Sequence, residues 1–381
     1  MKNDKTIWAN PRNFLTQVRP DEPVGFFCPA QLARTVRTFQ AGFPGQLTYA
    51  VKANPDEAVL ANLAALGVLA FDVASPWEID RVRSVVPMAA LHYNNPVRTP
   101  DEIEHARQAG VVSYSVDCAA EFHKIADRVE PAGVEVAVRF RLPVKGAAYD
   151  FGAKFGADPQ DAVALLKQVA ARGFVPSLCF HPGTQCHDGA VWDAYIHAAG
   201  DVARRAGVSV ARLNVGGGFP SFRLADERPD LDRIFTRIAA AAGAAFPDVA
   251  PNLLCEPGRG LVGDAFALGT RIKAIRPDGS VFLNDGIYGG FAENPAVGPV
   301  NRIAVFSPGG EVRTGSLCAR TIFGPTCDSL DKLPQRLDLP KDISEGDFVL
   351  FQGLGAYSGS LATQFNGFGV NRVETVEQFA P

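Results

Sequence analysis

The chain has 381 residues, 47% of them apolar and 20% charged, a composition that excludes a wholly disordered protein and leaves room for about two domains of ordinary size. The 37 basic and 41 acidic residues give a net charge of −4, so the chain lacks the basic surplus expected of a protein that binds nucleic acid or a membrane surface. Seven scattered cysteines show neither a Cys-x-x-Cys pair nor zinc-finger spacing, so we expect no metal site and a reduced, cytoplasmic protein. No apolar run resembles a secretory signal or has the length of a transmembrane helix.

From about residue 46, short β-rich runs alternate with Ala/Leu-rich segments that carry apolar residues at helical spacing. The eight predicted strands are 47–51, 69–73, 90–93, 111–116, 134–140, 177–180, 212–215 and 252–255. The first connecting helix is predicted over 56–66, after a capping Asn54 and an opening Pro55. Eight such repeats over roughly 210 residues predict an α/β fold, a (β/α)8 barrel of the TIM type. An open doubly wound sheet is the competing architecture, and it is disfavoured because no Gly-x-Gly-x-x-Gly sequence follows the first strand.

The sequence changes character after about residue 265. Residues 266–275 alternate partly between apolar and polar, 278–280 are typical of a turn, and 281–283 form a further β-rich run. Short β-rich runs with glycine and proline continue to residue 368. We therefore predict two domains, a barrel over 25–265 and a C-terminal all-β domain over 266–381, with residues 1–24 joining the latter.

Functional groups of barrel enzymes gather where the strands end, and every predicted strand here ends in a candidate. These candidates are Lys52, Asp72, Asn94, Asp117, Arg139, His181, Gly216–Gly218 and Glu256. Lys52 is either a lysine that emerges into solvent or a partly desolvated amine whose lowered pKa suits imine formation. His181 is either a functional imidazole or a histidine of the core.

The last two strand ends point to an anion and a ring nitrogen. The three glycines let backbone N–H groups approach a phosphate closely, although a plain glycine-rich turn explains the same residues. Glu256 can accept a hydrogen bond from a protonated ring nitrogen, and Arg259 can add positive charge beside the phosphate. A surface ion pair is the simpler alternative for these two. An imine-forming lysine, a phosphate cradle and a carboxylate for a ring nitrogen are together what pyridoxal 5′-phosphate requires.

Several ordered blocks between about residues 24 and 370 resemble the fold-type III pyridoxal-phosphate decarboxylases, most closely the ornithine decarboxylase branch. The blocks are 49–54 (YAVKAN), 71–75 (FDVAS), 154–156 (KFG), 216–220 (GGGFP), 256–259 (EPGR), 284–289 (NDGIYG), 324–328 (GPTCD) and 365–368 (FNGF). The resemblance implies a barrel followed by a β-domain, and an amino-acid decarboxylase, which is a carbon–carbon lyase.

The resemblance also implies roles for individual residues. Lys52 matches the lysine that carries the cofactor as a Schiff base, His181 the imidazole stacked on its ring, and Glu256 the partner of the ring nitrogen. The cofactor-binding positions it implies are Lys52, Asp72, Arg139, His181, Thr184, Gly217, Gly218, Glu256, Gly258, Arg259 and Tyr357. Thr184 stands where a serine is usual, an exchange that keeps the hydroxyl group.

Two residues of the GPTCD block match functional groups that act on the substrate. Cys327 matches the thiol that protonates the α-carbon after carbon dioxide leaves, and Asp328 matches the carboxylate that reaches the distal amine. Phe365 is assigned to the substrate site as well. In the family the Cys-Asp pair crosses a two-fold interface, so the resemblance implies a homodimer with shared active sites. The structural alternative for Cys327 is a small buried apolar residue.

The substrate is the least specified part of the prediction. Many ornithine decarboxylases carry an aromatic-acidic pair shortly after the Asp-Gly-x-Tyr-Gly block, whereas here Glu293 is the nearby carboxylate. A desolvated cationic amine needs a carboxylate partner, and Asp328 supplies one, so we expect a basic L-amino acid. L-ornithine, giving putrescine for polyamine biosynthesis, is the first expectation; lysine, diaminopimelate or a conjugated diamino acid are alternatives. A catalytically silent regulatory homologue is disfavoured, because the lysine, the phosphate ligands and the cysteine are all present.

Overall fold

The computed structural model describes residues 6–143 and 154–379, which divide by their contacts into two units. The barrel unit contains the described parts of Val36–Pro220 and Asp230–Gly258. The strand-rich unit contains those of Met1–Thr35, Ser221–Pro229 and Arg259–Pro381. These divisions differ from the predicted ones at 25 and 265, because Val24–Phe27 pairs with Phe266–Ile275 in the sheet of the strand-rich unit. Of the N-terminal segment predicted to join that domain, residues 1–5 lie outside the described residues.

The barrel unit is a parallel sheet closed by one broken strand. Its strands are Gln46–Leu47, Tyr49–Ala50, Ala70–Val73, Ala90–Tyr93, Ser113–Val116, Glu135–Arg139, Val175–Cys179, Arg212–Asn214 and Asn252–Cys255. Gln46–Leu47 pairs with the last of these strands and Tyr49–Ala50 with Ala70–Val73, so the two ends of the sheet are halves of one strand interrupted at Thr48. The predicted (β/α)8 barrel is confirmed, and so is the position of each predicted strand to within a few residues.

Five of the seven helices listed here for the barrel unit begin at a side-chain cap or a proline that the sequence displays. They are Glu57–Ala65, Pro76–Val85, Pro100–Gln108, Ala119–Ala126, Pro159–Ala171, Ala190–Ala206 and Leu231–Ala245, with a 3-10 turn at Val51–Ala53. Thr99 and Glu102 form a reciprocal capping box at the start of the third. The cap of the first is Asp56, whose carboxylate accepts from the Ala58 N–H at 2.7 Å, rather than the predicted Asn54. The helix Pro29–Gly42 runs across the division at 35/36.

The strand-rich unit is built around a mixed sheet and a separate two-stranded ladder. The sheet holds Ile7–Trp8, Val24–Phe27, Phe266–Ile275, Val281–Leu283, Ile303–Phe306, Ile322–Phe323, Phe348–Gln352 and Arg372–Val376, and the ladder holds Leu317–Arg320 and Leu337–Pro340. The helical segments are Pro11–Val18, Arg259–Val262, Gly263–Ala265, Asn294–Val297 and Phe365–Gly367. Two apolar clusters, one around Phe351 and one around Phe26, form its core. The predicted strand-rich character of the region after residue 265 is confirmed.

No helix within residues 6–143 and 154–379 combines the length and the apolar character that crossing a bilayer requires.

Candidate active site

Lys52 and Asp72 form an ion pair at the carboxyl ends of neighbouring barrel strands. Lys52 lies in the 3-10 turn that follows Tyr49–Ala50, and its Nζ is 3.1 Å from Oδ2 of Asp72. The Asp72 carboxylate is 2% exposed, whereas 43% of the Lys52 side chain is exposed. The Lys52 side chain is therefore more exposed than the sequence analysis expected of a desolvated amine. Its position is set by the buried carboxylate beside it.

Glu256 is a buried carboxylate held by two amide groups. It follows the strand Asn252–Cys255, and its Oε1 accepts hydrogen bonds from the side-chain amides of Asn94 and Asn214. Burial raises the pKa of Glu256 to about 8, and the negative charge of Asp72 adds to that rise. The positive charge of Lys52 and the hydrogen bond from Asn214 act in the opposite direction. Such a group suits a partner that carries an N–H and a positive charge, because that partner would offset the cost of burial.

Glu78 is a second buried acid of this region that the sequence did not single out. It lies in the first turn of Pro76–Val85, and its Oε2 accepts from the Ala74 N–H at 2.7 Å. Burial raises the pKa of Glu78 to about 7, and Asp72 contributes in the same direction. Acidic residues are favoured in the first turn of a helix, and this preference explains the position of Glu78 in the sequence. It does not explain why the Glu78 side chain is buried near Lys52 and Asp72.

His181 lies against the glycine-rich turn. A methyl group added at Gly217 would meet Nε2 of His181 at 3.1 Å and the carbonyl oxygen of Glu256 at 2.9 Å. Nδ1 of His181 accepts from the Gly183 N–H at 3.3 Å, which assigns the ring proton to Nε2. Burial, followed by the positive charges of Lys52 and Arg139, lowers the pKa of His181 well below its ordinary value. The imidazole is therefore neutral, and it can stack on a ring without bringing a charge.

The glycine-rich turn is tied to the loop that carries Thr184. The Cys186 N–H donates to the Gly218 carbonyl at 3.0 Å, so Thr184 is held two residues from that contact. Gly218 has a φ of +88°, a conformation that side chains disfavour. The glycine-rich turn and the loop that carries Thr184 are therefore adjacent.

The remaining predicted barrel residues surround this group. The guanidinium of Arg139 lies over the Phe155 ring at 5.2 Å, and Asp117 accepts from the Gly156 N–H at 3.0 Å. Gly258 lies against Ala53, whose methyl group would be 2.8 Å from an added Cβ. Gly258 thus packs against the lysine turn, and Arg139 lies near enough to His181 and Glu256 for its positive charge to lower their pKa values.

Arg259, in the strand-rich unit, is bonded by Glu293, the nearby carboxylate that the sequence analysis noted for the substrate amine. Both terminal nitrogens of Arg259 bond the Glu293 carboxylate, Nη1 at 2.6 Å from Oε2. Arg223 bonds the same Oε2 at 3.3 Å and donates to the Asn294 side chain at 3.2 Å. Arg223, Arg259 and Glu293 are all less than 10% exposed. Glu293 is thus occupied by two guanidinium groups.

Tyr357 is the neighbour of Arg259 within this unit. Its ring lies 5.2 Å from the Arg259 guanidinium carbon, a cation–π contact. Its φ of +63° is unusual for an aromatic residue, and such backbone strain concentrates at binding sites. Two of the predicted phosphate ligands therefore lie together.

Cys327, Asp328 and Phe365 share an exposed surface of the strand-rich unit. The hydroxyl of Tyr288 donates to Oδ2 of Asp328, and the Tyr288 and Phe365 rings are 5.0 Å apart. The Cys327 N–H donates to the Asn366 side chain at 3.1 Å, and the thiol is exposed rather than part of a core. Hydrogen bonds from the Leu330 N–H and then from Tyr288 lower the pKa of Asp328, which keeps it a carboxylate.

The barrel residues fit the cofactor that the sequence suggests. A side chain at Gly217 would fill the space beside His181, and the buried carboxylate of Glu256 accepts hydrogen bonds from two donors already. The profile of the family described as "Pyridoxal-dependent decarboxylase, pyridoxal binding domain" matches residues 29–263. The chain belongs to the pyridoxal-dependent decarboxylases. Its cofactor is pyridoxal 5′-phosphate, and the fold-type III assignment made from the sequence is confirmed.

Individual relatives agree with this family. The chain is 32% identical over 345 residues to the ornithine decarboxylase of Mus musculus. This alignment covers 84% of the chain and 73% of the mouse protein. The arginine decarboxylase of Paramecium bursaria Chlorella virus, solved with agmatine, superposes with a TM-score of 0.85 at 25% identity, covering 95% and 98% of the two chains. The lysine/ornithine decarboxylase of Vibrio vulnificus, solved with cadaverine, gives 0.80 at 25% identity over 93% and 95%.

Sequence reasoning missed the side chains that hold the functional groups. Asn214 lies inside a predicted strand, and its only signal is its place two residues before the glycine turn. Arg223 and Glu293 are 70 residues apart, so no local pattern links them. Tyr288 lies in a block that was recognised, but its bond to Asp328 depends on the fold.

Proposed function

We propose that this decarboxylase acts on a basic L-amino acid, with L-ornithine giving putrescine and carbon dioxide as its first substrate. The observation that supports this most directly is the ionised carboxylate of Asp328 beside the exposed thiol of Cys327. A carboxylate of this kind is the natural partner of a distal ammonium group. The names of the relatives support the same class, because they act on ornithine, arginine or lysine.

When bound, pyridoxal phosphate supplies a conjugated ring that withdraws the electron pair left behind when carbon dioxide departs. In our proposal Lys52 Nζ carries the cofactor, and Asp72 fixes that amine. The Glu256 carboxylate accepts the N–H of the ring and keeps it protonated, while the neutral imidazole of His181 packs on the ring face. Arg139 borders this site, and the backbone of Gly217 and Gly218 binds the phosphate.

The remaining cofactor contacts in the proposal are two hydroxyl groups and a guanidinium group. Thr184, Arg259 and Tyr357 bind the phosphate, and Gly258 lets the chain pass close to the lysine turn. Glu293 holds Arg259 in one orientation by its paired hydrogen bonds. Cys327 donates a proton from Sγ to the α-carbon after carbon dioxide leaves. Asp328 and Phe365 receive the distal end of the substrate.

We further propose a cytoplasmic homodimer in which Cys327 and Asp328 of one subunit serve the barrel of the other. The exposure of Cys327 supports this, since a proton-donating thiol acts best where water is excluded. The seven free cysteines, four of them buried, are typical of a reducing compartment. Putrescine formed in this way would enter polyamine biosynthesis.

Lysine is the second substrate that a specific observation favours. Glu293 is engaged by Arg259 and Arg223, so it does not provide a second carboxylate for the distal amine. A single carboxylate, Asp328, constrains the position of the substrate's distal amine less than two carboxylates would. We therefore expect weaker discrimination against lysine than a strict ornithine enzyme shows.

The test is the release of carbon dioxide from ornithine, lysine, arginine and diaminopimelate by the purified holoenzyme. We expect turnover of ornithine and measurable turnover of lysine. If neither is decarboxylated while diaminopimelate or a conjugated amino acid is, the proposal of a basic substrate is wrong and only the decarboxylase activity remains.

A further inference from the structure

We propose that Asn94 and Asn214 are positioning residues of this enzyme, which act through Glu256 by binding its Oε1, so that its ionised form is stabilised and Oε2 faces the ring nitrogen. The proposal rests on the role given to Glu256 above. Neither asparagine is assigned a role by the family resemblance, and neither is expected to touch the cofactor.

Both asparagines are fixed at strand ends by their own hydrogen bonds. The Asn94 N–H donates to the Val73 carbonyl at 3.1 Å, and its carbonyl accepts from the Ser115 hydroxyl at 2.7 Å. Oδ1 of Asn214 accepts from the Gly216 N–H at 2.9 Å. The backbone of Asn94 and the side-chain amide of Asn214 are therefore anchored independently of their bonds to Glu256.

The bond to Gly216 decides which end of the Asn214 amide faces Glu256. Because Oδ1 accepts from an N–H, the opposite atom must be the NH2 group, which can only donate. An aspartate at this position would offer an acceptor to both neighbours, and it could serve Glu256 only by holding a proton. Asparagine gives the donor at every pH.

Two donors on one oxygen act against the other influences on Glu256. Burial and the charge of Asp72 favour the protonated acid, whereas Lys52 and Arg139 favour the carboxylate. Burial raises the pKa values of the Cys179 and Cys255 thiols, and the nearby Glu256 charge adds to that rise, so both thiols stay neutral. Amide donors stabilise the ionised form without adding charge. With Oε1 occupied by both amides, the oxygen left for a further N–H is Oε2.

The first experiment measures the Glu256 carboxyl itself, without cofactor. Its titration is followed by NMR in isotopically labelled apo-protein, with the signal assigned through Glu256→Gln. We expect the apparent pKa of Glu256 to rise in Asn94→Ala and to rise further in Asn214→Asp, which sets a second acid beside it. The matched control is Asn252→Asp. Asn252 is exposed at the start of the strand that leads to Glu256, and its substitution should leave the Glu256 titration unchanged.

The second experiment uses the holoenzyme. Losing one hydrogen bond to a buried charge should lower kcat about tenfold near neutral pH, with KM changed much less. Activity of both variants should recover as the pH is raised, because Glu256 then ionises without the missing donor. A merely structural role would lower activity at all pH values alike.

A double-mutant comparison separates this proposal from the role of Glu256. In a Glu256→Ala background, Asn94→Ala should change the remaining kcat less than about twofold, instead of the roughly tenfold expected when Glu256 is present. An undiminished effect there, or an unchanged carboxyl titration in both variants, overturns the proposal. Wild-type turnover in Glu256→Gln would overturn the role of Glu256 instead, and the apo-protein titration would still decide whether the amides hold it.

Discussion

Two polar clusters of this enzyme are held in different ways. The barrel cluster consists of Lys52, Asp72, Asn94, Asn214 and Glu256, and the loop cluster of Tyr288, Cys327, Asp328, Phe365 and Asn366. The first is fixed at strand ends, with its carboxylates at most 8% exposed. The second lies on exposed loops, where Asp328 is bonded by Tyr288 and Cys327 by Asn366. The carboxylates of the barrel cluster are therefore shielded from water by their own chain. The loop cluster is shielded from water only when another surface covers it.

The largest effect is expected in the barrel cluster, at Lys52. Lys52→Ala removes the amine that we propose carries the cofactor, so kcat should fall at least about a thousandfold. The visible absorbance of the bound cofactor should disappear, and reduction followed by peptide mapping should find no labelled lysine. Lys167→Ala, an exposed lysine on the helix Pro159–Ala171, is the control and should behave as wild type. A retained visible band with cofactor trapped on another lysine would show that the assignment is wrong.

The next effect concerns the charge of Glu256. Glu256→Gln keeps the size of the side chain but lets the ring nitrogen lose its proton, so kcat should fall about a hundredfold while the affinity for pyridoxal phosphate changes little. Glu104→Gln, an exposed change, provides the control. Turnover equal to that of the wild type in Glu256→Gln would remove this residue from the mechanism.

Substitutions in the loop cluster should affect substrate recognition. Asp328→Ala removes a charged hydrogen bond worth roughly 1.5–3 kcal/mol, so kcat/KM for ornithine should fall at least about tenfold. Asp338→Ala, an exposed acid on the strand Leu337–Pro340, should leave kcat/KM unchanged. A fall confined to the cofactor affinity in Asp328→Ala would instead place this acid near the phosphate.

The last effect concerns the stability of the apo-protein rather than catalysis. The folded pKa values of Glu78 and Glu256, about 7 and about 8, lie above the ordinary 4.5, so the folded apo-protein binds more protons than the unfolded chain between these values. Its stability should therefore fall as the pH rises from about 5 to 8, by up to about 1.4 kcal/mol per pH unit for each acid. Asp285 of the strand-rich unit, raised by burial to about 7, adds to the same trend.

Thermal unfolding of the apo-protein as a function of pH measures this slope. Glu256→Gln should make it shallower, and adding pyridoxal phosphate should do the same, because a protonated ring nitrogen favours the carboxylate. A slope that is the same in Glu256→Gln and in the wild type would mean that this acid is ionised throughout the range.

The sequence revealed the barrel because its signals are local. Strand runs, proline-opened helices and polar strand ends repeat along the chain. Lys52 lies two residues after a strand, and Glu256 follows one directly. The domain division was harder, because Val24–Phe27 reads as the start of the barrel until its pairing with Phe266–Ile275 is seen. Sequence order does not show which sheet a strand joins.

The residues that hold the functional groups could not be predicted, because they are brought together by the fold. Asn94 was noticed as a strand end, but its bond to Glu256 spans 162 positions. Glu293 looked available for a substrate amine, and only the structure shows it bonded to Arg259 and Arg223. A carboxylate in a loop is compatible with either use until its neighbours are known.

Mixing two inactive variants tests directly whether the barrel cluster of one subunit works with the loop cluster of another. Lys52→Ala and Cys327→Ala chains are combined, subunit exchange is verified by mass spectrometry, and decarboxylation of ornithine is measured. Random exchange makes half of the dimers mixed, and each mixed dimer holds one intact shared site, so about a quarter of wild-type activity should return. No recovery despite complete exchange would show that each subunit supplies both clusters to its own site.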